Sequence, residues 1–148
     1  MSLENTISDA IKDAMRAKDK VALDALRAVK SQILLLKTEA KGAEISYEQE
    51  IAILQRMIKQ RKDSAEQFNA QNRSDLAEVE DAQSRVIEKY LPAQLSEEDL
   101  EKEMKQIIAD SGATSAKDLG KVMGIASKNL AGKSDGKSIS TMAKKLLS

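Results

Sequence analysis

From Leu3 to Leu147 the apolar residues recur three and four positions apart, and nowhere do they alternate as in a half-buried strand. That spacing confines the chain to helices. A single proline, Pro92, interrupts it. Proline removes a helix hydrogen bond and restricts the residue before it, so a helix must end ahead of Pro92.

Capping residues divide the pattern. Ser2 precedes Leu3, Ile7, Ile11, Ala14 and Met15, and Asp19 precedes Leu23, Leu26, Val29, Ile33 and Leu36, with Gly42 a natural stop. The run 33–36 is apolar nearly all round, which predicts a helix covered on more than one side. Ser46 and Gln49 form a capping box ahead of Ile51, Leu54, Met57 and Ile58. A turn at 72–75 introduces a fourth helix through Leu76, Val79, Val86, Ile87 and Leu91. Ser96 opens a fifth, with Glu97, Glu98 and Asp99 favourable against its dipole and Gly112 at its end. Thr114 or Ser115 starts a sixth carrying Leu119, Val122, Met123, Ala126 and Leu130. The stretch 132–136 reads as a turn, and Ser138 starts a short seventh helix. The expected fold is all-α: an N-terminal long-helix domain of about four helices, 1–94, then a small three-helix C-terminal bundle, 95–148.

With only Tyr47, Phe68 and Tyr90 as aromatics, the core must be built from Leu, Ile, Val, Met and Ala. The chain has no Cys and no His, which removes thiolate and imidazole metal sites, Cys nucleophiles and Ser-His-Asp triads. No catalytic residue, metal or cofactor is expected. Without an apolar leader or a span of 18 apolar residues, the expectation is a cytoplasmic protein that does not enter a membrane.

Formal charge is zero but uneven. Gly112 to Ser148 holds seven Lys and two Asp, and five of the six glycines. Within it, LGKVMGIASKNLAGKSDGK (119–137) puts Gly120 and Gly124 a turn apart inside a helix, where each glycine costs roughly 1 kcal/mol against alanine. Close helix packing is the reading expected of the pair; a smooth approach surface for an RNA backbone or partner helix is the other. Lys121, Lys128, Lys133 and Lys137 surround it. They are either a solvated face or contacts to phosphate, since Lys supplies point charges rather than bidentate base readout. No aromatic follows Tyr90 to stack on unpaired bases, so an RNA would be read by backbone and shape. Arg56, Lys59, Arg61 and Lys62 spread round their helix and read as a solvated face with local ion pairs. Arg27, Lys30, Lys37 and Lys41 lie closer to one face and are better placed for phosphate. GKSDGKS (132–138) does not make a nucleotide loop: Ala131 stands where the first glycine is needed, and no strand precedes it.

The segment 59–100, ending YLPAQLSEEDL, together with LRAVKSQI (26–33) and GKVMGIASKNLAGKSDGKSIS (120–140), resembles the YqeY family of GatB/YqeY domain proteins over nearly the whole chain. The resemblance implies a helical N-terminal domain joined to a tail similar to the C-terminal domain of the tRNA-dependent amidotransferase B subunit. It implies tRNA binding through Lys121, Lys128, Lys133 and Lys137, as an accessory protein without chemistry of its own. It also carries an association with carbon–nitrogen ligase activity using glutamine as amido-N-donor, which would need amidotransferase or other translation-related partners. A third role, apart from the resemblance, is a helical protein-interaction scaffold on helices two and three, with the apolar run 33–36 exposed in part. Ser134 departs from the small apolar residue that the family's tail signature implies there.

Overall fold

The computed structural model describes residues 2–148, and all regular structure among them is helical. Seven α-helices follow one another: α1 Leu3–Ala17, α2 Lys20–Glu39, α3 Tyr47–Ala70, α4 Ser74–Glu88, α5 Glu97–Ser111, α6 Leu119–Asn129 and α7 Gly136–Leu147, with a 3-10 turn at Ala116–Asp118 ahead of α6.

The caps explain where most of these begin. The Ser2 hydroxyl accepts from the Asn5 N–H at 3.2 Å, and Asp19 Oδ1 accepts from Ala22 N–H at 3.1 Å. Ser46 and Gln49 exchange both bonds of a capping box, and Ser96 accepts from Asp99 N–H at 3.1 Å. Each satisfies a donor that the first turn of a helix leaves free. The turn between α3 and α4 is made by Asn72 at φ +60°, a conformation that asparagine tolerates, and Arg73 N–H reaches back to the Phe68 carbonyl at 2.8 Å.

Two compact units result, Met1–Leu91 and Pro92–Ser148. The core of the first gathers Ile7 from α1, Leu26, Val29 and Ile33 from α2, Leu54 and Met57 from α3, and Ile87 from α4. Burying one such side chain fully is worth about 1.5–3 kcal/mol. Helices α3 and α4 pack along most of their length, whereas α2 meets α3 over a shorter stretch. That leaves a groove floored by Leu35, Leu36, Ala52 and Ile53. The cover on more than one side expected for the apolar run at 33–36 is therefore only partial: Ile33 is buried, but Leu34 and Leu35 are 43% and 54% exposed. Tyr47 is exposed too, and Tyr90 is half-buried, its phenol pushed up by burial and then by the charge of Asp13.

The second unit is a bundle of α5, α6 and α7 around Leu100, Met104, Ile107, Val122, Ala126, Leu130, Ile139, Met142, Ala143 and Leu147. The segment before α5 is pinned to the α6–α7 turn. Leu95 N–H donates to the Lys133 carbonyl at 2.8 Å, and the Gln94 side-chain amide donates to the Gly132 carbonyl. Gly132 takes φ +78°, a region that glycine enters without strain. Helix α7 begins earlier than the Ser138 start expected from sequence: Asp135 is its cap, accepting from Ser138 N–H at 2.6 Å, and Gly136 is already helical.

Candidate nucleic-acid interface

In α6 the residues turned to the core are Val122, Ala126 and Leu130, with Leu119 and Met123 partly covered. A helix advances 100° per residue, so positions 120, 121, 124 and 128 fall on the opposite side. All four are exposed. Lys121 and Lys128 thus share one solvent face, with Gly124 between them.

This corrects the packing role expected of the glycine pair. A methyl group added at Gly120 or Gly124 would meet nothing within 4 Å. Neither relieves a helix contact within this chain. The pair instead leaves a smooth, side-chain-free strip on the exterior of α6.

The other two lysines lie elsewhere in the unit. Lys133 sits in the turn after α6, its backbone held by Leu95 and Leu130 and its residue exposed. Lys137 stands in the first turn of α7 and lines a groove between α5 and α7 with Leu95, Glu97, Ser134, Thr141 and Lys145. The structure therefore joins Lys121 to Lys128, and Lys137 to Lys145. Lys145 was not singled out for binding from sequence. The available signal was the i, i+3, i+7 spacing of Ser138, Thr141 and Lys145 along α7.

Electrostatically, the seven lysines from Lys117 to Lys145 have no carboxylate ion-pair partner among the described residues. Lys121 Nζ donates to the Ser111 carbonyl at 2.8 Å, at the end of α5, where the helix dipole favours a cation. That neutral partner leaves its charge uncancelled. The charge imbalance read from sequence proves to fall inside the second unit: Pro92–Ser111 carries two lysines against six carboxylates, and the excess of lysine belongs to the part beyond it.

The basic groups of the first unit are differently placed. Lys59 pairs with Asp63 at 3.9 Å, Lys62 with Glu88 at 2.9 Å, and Arg61 Nε donates to Gln83 at 3.1 Å. Lys37, expected among the better phosphate contacts, is held by Glu4 and is not free for one.

An all-α chain with a three-helix, lysine-bearing tail is the class that the geometry defines. A family profile described as Yqey-like protein matches residues 4–147, and the chain belongs to that family. Among curated relatives, it is similar to "Altered inheritance of mitochondria protein 41, mitochondrial" of Clavispora lusitaniae, 36% identical over 104 residues, covering 68% of this chain and 60% of that protein. The protein of the same name in Meyerozyma guilliermondii is 40% identical over 92 residues, covering 59% and 45%. That in Saccharomyces cerevisiae is 33% identical over 101 residues, covering 66% and 54%. The match thus spans roughly half the length of these relatives.

Proposed function

We propose that the tail unit binds the phosphate backbone of a folded RNA, with tRNA the ligand suggested by the likeness to the amidotransferase tail that the sequence resemblance implies, and that the protein acts as an accessory factor. One observation carries this reading: seven lysines with no carboxylate partner among the described residues, two of which flank the bare Gly120–Gly124 strip of α6. Unneutralised ammonium groups release counterions from a polyanion, and a glycine face lets a sugar–phosphate chain approach a helix closely. Such a protein works wherever tRNA is found. The reading does not depend on the compartment, and the curated relatives bear a mitochondrial name.

The test is binding of total tRNA across a salt series. With about four lysines engaged, log K falls against log salt with a slope of roughly −3 to −4. Exchanging Lys121, Lys128, Lys133 and Lys137 for Gln flattens that slope and leaves the fold intact. Absence of binding at low salt ends the reading.

A second reading rests on exposed Leu34 and Leu35 beside the α2–α3 groove, a surface suited to an apolar helix of a protein partner. It predicts a complex that survives RNase and is lost in a Leu34→Lys, Leu35→Lys variant.

A further inference from the structure

The groove between α5 and α7 holds polar groups that the fold leaves unused. Its floor is apolar, formed by Leu95, Leu100 and Met142, while Ser138, Thr141 and Lys145 line it from one face of α7. Lys137 and Ser134 complete that side. Asp135 takes up the Ser138 N–H, so the N–H groups of Gly136 and Lys137 have no partner inside the helix. The Asp135 carboxylate meets part of this helix end's preference for negative charge, and the free Gly136 and Lys137 N–H groups leave donors for an anion's oxygens.

Ser134 adds an independent observation. Its residue is only 9% exposed, yet its hydroxyl takes part in none of the side-chain hydrogen bonds of the second unit. Among the described residues no fully enclosed side-chain polar atom lacks a partner. The Ser134 oxygen, without a partner, is therefore not fully enclosed, and its residue lines the groove. An unpartnered hydroxyl on a nearly buried residue, in a groove that two lysines also line, is a donor awaiting an acceptor.

We propose that this groove seats a single phosphate group. The Ser134, Ser138 and Thr141 hydroxyls donate to its oxygens, and Lys137 and Lys145 supply the charge. About 340 Å³ is available, enough for a phosphate with part of the sugar that bears it. Glu97 is the one carboxylate lining the groove. It opposes every anion there and opposes a doubly charged one most. The phosphate comes either from a free phosphate ester or from an RNA backbone. The site is distinct from the lysine face of α6, and a failure of tRNA binding would not remove it.

The full chain titrated with inorganic phosphate, followed by amide chemical shifts, tests this. Saturable shifts are expected at residues 134–138, with Lys121→Gln and Lys128→Gln leaving the affinity unchanged. Ser134→Ala should weaken it about tenfold, the usual worth of a hydrogen bond to a charged group. Glu97→Gln should strengthen it. Thr141→Val, on the exposed side of α7, serves as a second probe should Ser134→Ala disturb the turn. Displacement of phosphate by added tRNA assigns the site to RNA, and simultaneous binding assigns it to a free ester; either upholds the site. Shifts that spread over all lysines without saturating, or an affinity that neither Ser134→Ala nor Thr141→Val alters, overturn it.

Discussion

In the first unit, basic side chains tie helices together. Lys37 of α2 holds Glu4 of α1, Lys62 of α3 holds Glu88 of α4, and Arg56 and Arg61 bond glutamines on neighbouring helices. In the second, the ion pairs stay within α5, as Lys102–Glu98 and Lys105–Glu101, and the lysines beyond Gly112 have no acidic partner among the described residues. Both units are three- to four-helix bundles with aliphatic cores, so the fold does not require this contrast. Cations placed to bridge helices serve the bundle that holds them. Cations left unmatched on a face without bulky neighbours serve whatever arrives from outside.

The largest effect that would sharpen the contrast is core truncation. Leu54→Ala should cost the first unit about 2–5 kcal/mol, and Met104→Ala should cost the second a similar amount. The two cores share no residue, so amide exchange should show each loss confined to its own unit. A loss spread evenly over both would break the division. Next come Gly120→Ala and Gly124→Ala, which should stabilise the second unit by about 0.5–1 kcal/mol each, because the added methyl meets open space in a helical backbone. Calorimetry reads the sign directly, and a destabilised variant would restore the packing role. If the bare strip serves a ligand, the same variants lose tRNA affinity while gaining stability. Ser46→Ala removes one arm of the capping box and should cost the first unit about 1 kcal/mol, seen as a lowered denaturation midpoint.

The smallest effect belongs to Arg73 and Asp75. Their hydrogen bond holds the Asp75 carboxyl below its usual range. A depressed folded-state value means that the contribution is present above the ordinary carboxylate range and is lost as pH falls through the folded value. Arg73→Gln should remove that slight acid dependence from the thermal midpoint. Both side chains are largely exposed to solvent, so the change is minor.

Much of this was legible in the sequence because caps and apolar spacing are local. Ser2, Asp19, Ser46 and Ser96 mark their helices by residue type and position alone. The start of α7 was not: Asp135 lies between glycines and lysines that read as turn, and its capping role emerges only with the Ser138 N–H in place. The glycine pair is more instructive. The stripe Leu119, Val122, Met123, Ala126 and Leu130 was readable, and it already places Gly120 and Gly124 on the far side; their spacing suggested packing only while that stripe was left out of account. For Leu34 and Leu35 the sequence allowed both cover and partial exposure, and how far α2 and α3 stay apart decides between them. The α5–α7 groove needed two distant segments, 95–100 and 134–145, brought together.

The placement of Tyr47 and Tyr90, with Phe68, has a practical consequence. All three lie in the first unit, and the chain has no tryptophan. Intrinsic fluorescence and near-ultraviolet dichroism therefore arise from chromophores of Met1–Leu91, and the lysine-bearing bundle has none of its own with which to report melting or a ligand in those two signals.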